Sequence, residues 1–284
     1  MTKTALIVVG VLGMVLIVIP GFGNGDLPAP KQAPGEPEFY FTRLMYTDTR
    51  GRGPAPGQAI PTDFQHGHGL GDRLARYYGA WLTDTWDADY QYMWGIQRMT
   101  NLKVSLKPHP LKILSPDLFQ YPYVYAVEPG QMELSQEEAN RMREYLLRGG
   151  FWHVDDFWGL RQWAQFERQA KKIFPEREIK DLPLTHEIFH TFFDIHELLQ
   201  PPNDGYGQRY TLTNGQWHTW EQPDDTAPRV RGISDDNGRL MILMTYNSDF
   251  GDAWEWMDDP LYPAKFTTYA YRMGMNSIIY TMTH

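Results

Sequence analysis

The chain of 284 residues is 42% hydrophobic and 14% aromatic, enough to bury one sizeable core. Its formal net charge of -9 and pI near 5.5 exclude a nucleic-acid surface, which needs clustered Lys and Arg to displace counterions from phosphate. With no cysteine there are no disulfides, thiolate nucleophiles or cysteine metal sites, and the redox compartment stays open.

Residues 1–23 read as a signal-anchor or transmembrane helix. Lys3 precedes an uncharged run from Ala5 to Ile19, and Pro20-Gly21-Phe22-Gly23 breaks it. Gly21-x-Gly23 is a poor small-x-small cleavage site, so retention is expected, with residues 2–22 in the lipid bilayer. The only nearby cation, Lys3, stays inside, which puts the bulk of the chain on the outer, periplasmic side of the inner membrane. Residues 24–37, rich in Gly, Pro and Ala, form a linker to a single α/β domain over residues 38–284.

Within that domain Phe39–Tyr46 predicts a first strand, followed by a Gly- and Pro-thick loop over Thr47–Pro61. Asp72–Trp81 predicts a helix, and Leu102–Pro108 and Tyr121–Glu128 predict strands. Gly67-x-Gly69-x-Gly71 precedes the first of these helices; its amides could face an anion, but no strand leads in and no Walker lysine follows, so it reads as a flexible helix start. Ser135 and Glu138 spell a capping box, Ala139, Met142 and Leu146 form an apolar stripe, and Gly149-Gly150 ends that helix before the strand "FWHVDD". A helix over about 160–173 follows. Asn237-Gly238 then turns a hairpin between "RVRGIS" and "RLMILMTY", and a last helix near Phe266–Met273 leads into "NSIIYTM". This alternation predicts a three-layer α/β sandwich with a mostly parallel sheet, flavodoxin-like or amidotransferase-like, preceded by one N-terminal hydrophobic helix.

Ligands of such folds gather beyond the carboxyl ends of the strands. Those ends offer Tyr46, Asp48, Glu128, Asp155, Asp156, Asn247 and Asp249. One acid after a strand often only caps the next helix, but the adjacent Asp155 and Asp156 cannot both cap, and crowded carboxylates invite a metal, a hydroxylated ligand or a raised pKa. A second candidate lies in "THEIFHTFFDIHELL", where His186, Glu187 and His190 spell H-E-x-x-H and His196 falls at the third-histidine place of a longer zinc-protease motif. Pro183 and Thr185 put that motif on the first turn of a short helix, and Phe193 stands where the turn glycine belongs, so the third ligand is doubtful.

"FYFTRLMY", the run from Leu118 to Gly159, "KKIFPEREIKDLPLTHEIFHTFFDI" and "GISDDNGRLMILMTYNSDFGDAWEW" with "YRMGMNSIIY" resemble, in order, successive blocks of the domain of unknown function 4159 family, over roughly residues 38–282. The resemblance implies a class I glutamine-amidotransferase-like fold and assigns no activity. The family's histidine block typically resembles L-P-x-x-H-P-I-F-H; His186 and His190 match it, and Glu187 stands where proline is usual, which leaves a zinc protease without its general base as a family trait. The stretch Arg50–Trp94 departs from the family pattern in length and aromatic content. Cysteine amidotransfer is excluded outright.

Two functional classes remain. The first is a non-catalytic, membrane-tethered scaffold contacting other subunits of a membrane complex, energy-converting assemblies being candidates. The second is an envelope carbohydrate- or small-ligand-binding protein or hydrolase with a pocket at Glu128, Asp155, Asp156, His186, His190, Asn247 and Asp249; a zinc metalloprotease is a minor third. No cofactor and no metal is expected. For the scaffold, the acidic segment holding Asp252, Trp254, Trp256, Asp258, Asp259 and Tyr262 has aromatic residues among charges, the composition of an interface hot spot.

Overall fold

Short runs rich in Val, Tyr, Phe and Leu pair into one seven-stranded sheet in the computed structural model, which describes residues 35–54, 68–205 and 219–284. The strands are β1 (Thr42–Met45), β2 (His109–Lys112), β3 (Tyr123–Val127), β4 (Phe151–Asp155), β5 (Lys180–Asp181), β6 (Arg229–Ser234) and β7 (Leu240–Tyr246). They stand in the order β2-β1-β3-β4-β7-β6-β5. The first five run parallel, and β6 and β5 extend the sheet antiparallel through the predicted hairpin. Strand order reverses between β1 and β3, the switch point beside which doubly wound sheets open a crevice.

β3, β4 and β7 are buried along their whole length, as expected of strands covered on both faces. Alternation along them sorts the side chains into two layers. Val124, Ala126, Trp152, Val154, Ile242 and Met244 pack with α1 (Leu70–Tyr78), α3 (Gln136–Leu147) and α4 (Gly159–Ile173). Tyr123, Tyr125, Val127, Phe151 and Leu243 pack with α2 (Asp87–Met99), α5 (Phe250–Glu255) and α6 (Ala264–Thr283). Helices on both faces make the predicted α/β sandwich. The capping box forms at Ser135 as read from the sequence.

Three local readings change. Leu102–Pro108 contributes only a bridge from Val104 to Phe39, because Ser105 Oγ accepts the Lys107 amide and turns the chain; the strand forms just downstream at β2. The last helix runs on to Thr283, since Ser277 Oγ donates back to Met273 O at 2.9 Å and Asn276 uses its amide to hold the backbone of Phe192 and Phe193. Helix α2 was not foreseen at all. No described helix is long and apolar enough to cross a membrane. The expected hydrophobic helix at residues 1–23 and the linker up to residue 34 lie outside the described residues.

Candidate functional site: an acidic cleft at the strand ends

The carboxyl ends of β1, β3, β4 and β7 lie at one edge of the sheet, and the chain leaves three of them in unusual conformations. Four non-glycine residues have positive φ among the described residues: Asp84 (60°), Glu128 (51°), Asp156 (58°) and Asn247 (55°). Glu128, Asp156 and Asn247 are the residues immediately after β3, β4 and β7, and Asp84 reaches the same edge from the loop before α2. The left-handed region costs an L residue about 1–2 kcal/mol, so the surrounding structure must hold each of them there.

The holding contacts are visible. Arg43 on β1 is fully buried; its Nε donates to Asp89 Oδ1 at 3.0 Å and Oδ2 at 3.2 Å, a further contact joins Nη2 to Asp89, and Nη1 donates to Thr83 O at 2.9 Å. One guanidinium thus ties both sides of the Asp84 loop to the sheet. Gly71 on α1 lies so near this loop that a Cβ there would stand 2.4 Å from the Thr85 nitrogen. At the other wall, a Cβ on Gly251 would stand 2.0 Å from Asp84 Oδ2, so glycine at the first turn of α5 is what admits the Asp84 carboxylate.

Five carboxyl groups meet here. Asp84, Asp156, Asp249, Asp252 and Glu255 are at most 5% exposed. One oxygen from each of Asp84, Asp156 and Asp249 lies within 4.8 Å of the others, and the same holds for Asp84, Asp252 and Glu255. Asp249 Oδ1 accepts the Asp252 amide at 2.7 Å as the cap of α5, Asp252 Oδ2 accepts the Asp204 amide at 2.6 Å, and Asp156 Oδ1 accepts Trp158 Nε1 at 2.7 Å. Glu255 Oε1 accepts the Gly69 amide at 2.6 Å, so the glycine-rich start of α1 does face an anion, one from its own chain. Gly67 lies outside the described residues. By contrast, Asp84 Oδ2 and Asp249 Oδ2 are buried without any hydrogen-bond partner.

Burial is the first cause of every pKa shift in the cluster, and like charge adds to it. It pushes Asp84, Asp156 and Asp249 well above the carboxylate range, with Asp252, Glu128 and Asp156 respectively the strongest charged neighbours. Burial also carries Asp252 up to about 8 and Glu255, with Asp252 beside it, up to about 9. Beside this cluster, and sharing Asp156 with it, opens a cavity of about 270 Å³ whose lining includes the acids Asp72, Glu128, Asp156 and Glu221 and the arginines Arg50, Arg52 and Arg76. Burial brings Glu128 up to about 7, with its Oε2 sealed and unpartnered, and Glu221 up to about 8. Two carboxyls poised near neutrality can exchange protons with a bound molecule.

The predicted ligand set divides. Glu128, Asp156 and Asp249 face the cleft. Asp155 does not: it accepts from Thr245 Oγ1 (2.6 Å), Tyr125 Oη (3.1 Å) and the amides of Phe250 (2.8 Å) and Gly251 (3.2 Å), which clamps α5 to the sheet. Asn247 is likewise spent on scaffold, accepting the Gly159 amide and donating to Asp225 O and Ala227 O. His186 and His190 lie elsewhere. His186 caps a three-residue turn, Glu187–Phe189, by accepting the Ile188 amide, and lines a separate cavity that reaches the Asn237–Gly238 turn at the amino end of β7. Both ring nitrogens of His190 are engaged, by Asp194 at 2.9 Å and Leu184 O at 2.7 Å, and Glu187 pairs with His284 at 3.1 Å. The helix that would place His186 and His190 on one face is absent, so the H-E-x-x-H spacing builds no zinc-protease site.

The expected interface segment also needs correction. Trp254 is fully buried and stacks on Tyr92 of α2 at 4.1 Å, because α5 lays it into the aromatic layer. Tyr262 is buried with its hydroxyl donated to Pro202 O at 2.9 Å, and Asp252 belongs to the cleft. Trp256, half-buried, stacks on His68 at 4.4 Å; Asp258 and the half-buried Asp259 reach solvent. Sequence reasoning missed Asp84, Glu221 and Glu255 as cleft residues and assigned Asp252 to the interface. The spacing Asp249, Asp252, Glu255 was the available signal, since carboxylates at i, i+3 and i+6 share one helix face.

Fold and site together define an α/β sandwich with an acidic cleft at the carboxyl edge of its parallel strands. The chain belongs to the family described as Domain of unknown function (DUF4159), which matches residues 73–282. Comparison with curated proteins gives no match.

Proposed function

We propose that the chain is a ligand-binding domain, tethered to the outer face of a membrane by its N-terminal segment, whose working surface is the strand-end cleft. The observation that carries this reading is the convergence of strained, buried carboxylates with partnerless oxygens on the edge where doubly wound sheets bind ligands. The tether rests on the uncharged run Ala5–Ile19 behind Lys3. An amidotransferase-like fold is in keeping with the mostly parallel sheet, although the chain carries no cysteine nucleophile. A role as accessory subunit of a membrane complex is compatible with the tether, but its expected contact segment has two of its three aromatic anchors in the core.

The mouth of the cleft sets the ligand class. A cavity of about 270 Å³ takes a molecule of monosaccharide or amino-acid size. Its carboxyls accept from hydroxyl or ammonium groups, and its arginines donate to oxygens. The test is saturation-transfer NMR on the full chain with glucosamine, glucose and glucuronate. Strongest transfer to glucosamine, lost in Glu128→Gln/Glu221→Gln, is expected; no transfer to any probe, or transfer untouched by the double substitution, refutes the reading.

A further inference from the structure

Five carboxylates carry up to five negative charges, and among the described residues none of the five pairs with Lys, Arg or His. Protons alone are a poor remedy. A proton shared between two carboxyls forms a short O–H···O bond and gives both oxygens a partner, whereas Asp84 Oδ2 and Asp249 Oδ2 have none. Their spacing fits another counter-charge. Oxygens bound to one hard cation at about 2.1–2.4 Å lie no further apart than twice that length, about 4.8 Å at most. Both carboxylate triads meet this limit, and both include Asp84.

We propose that the cleft binds two divalent cations of the oxygen-preferring class, one on Asp84, Asp156 and Asp249, the other on Asp84, Asp252 and Glu255, with Asp84 shared between them. All six ligand places are carboxylate oxygens, which selects Mg²⁺, Mn²⁺ or Ca²⁺ over metals that prefer imidazole or thiolate. Two such ions bring +4 against −5 and leave the cluster near neutral. Gly251 and the Arg43 anchor then have a common purpose: each keeps the Asp84 carboxylate between the two triads. The site stands beside the small-ligand cavity and does not depend on what that cavity takes.

The experiment is titration of the full, EDTA-stripped chain in detergent with Mn²⁺, followed by electron paramagnetic resonance and by the thermal midpoint. Two Mn²⁺ per chain are expected, with a rise in the midpoint. Asp84→Asn is expected to abolish both at the same concentrations, and Glu255→Gln to abolish one. Asp258→Asn, on the exposed turn, is expected to bind as the wild type does. Each variant is checked for fold by circular dichroism, and Glu255→Gln serves alone if Asp84→Asn does not fold. Zero or one Mn²⁺ per chain, or two in Glu255→Gln, overturns the proposal. No transfer from any of the three sugars to the wild-type chain, with two Mn²⁺ bound, would refute the ligand reading and leave this one standing.

Discussion

Replacing Glu255 by glutamine is expected to stabilise the metal-free protein, and more so as pH rises. In the unfolded chain this carboxyl ionises near 4.5, whereas in the fold burial and the neighbouring Asp252 hold its proton up to about 9. The folded state therefore binds more protons across that window, and stability falls as pH climbs through it. At about pH 8 the displacement amounts to roughly 3.5 units, and at ~1.36 kcal/mol per unit the upper bound is about 5 kcal/mol. Because its neighbours share the repulsion and relax when one is neutralised, a gain of about 2–3 kcal/mol is expected at that pH, shrinking below about 1 kcal/mol near pH 5. Glutamine keeps the shape and the oxygen that accepts the Gly69 amide, so the change is chiefly one of charge. The assay is urea unfolding of wild type and Glu255→Gln in EDTA at about pH 5 and pH 8. A variant that is neutral or destabilised at the higher pH would refute the electrostatic reasoning.

Trp254→Ala should destabilise the protein by about 3–5 kcal/mol in urea, because it empties a fully buried place against Tyr92; unchanged stability would return this side chain to the surface. Arg43→Met should cost about 3–5 kcal/mol by leaving Asp89 buried and unpaired, and should also weaken Mn²⁺ binding through the Asp84 loop; a stable variant with wild-type Mn²⁺ affinity would separate this anchor from the site.

The parts of the fold legible in the sequence were those with local causes. The strand at Tyr123–Val127, the Ser135 capping box and the Asn237–Gly238 hairpin each follow from a few adjacent residues, and they placed Glu128, Asp156 and Asp249 at one edge. Helix α2 was hidden because its aromatic and acidic residues give a weak polar–apolar contrast, its Tyr92 and Asp89 both being buried for tertiary reasons. The same cause hid Asp84 and misplaced Trp254. An acid-rich run ordinarily marks solvent, and only the pairing of α5 with α2 and with the Asp84 loop turns Asp249, Asp252 and Glu255 inward. His186 and His190 illustrate the converse: a motif with the right letters sits on a turn too short to give it geometry.

The claim that the strand-end carboxylates are a binding centre is tested most directly by anomalous diffraction from crystals soaked in Mn²⁺. Two anomalous peaks about 3.5–4 Å apart on either side of the Asp84 carboxylate are expected, the separation usual for ions sharing a carboxylate bridge. A cleft without anomalous density, with Mn²⁺ found only at exposed acids such as Asp258, would contradict it.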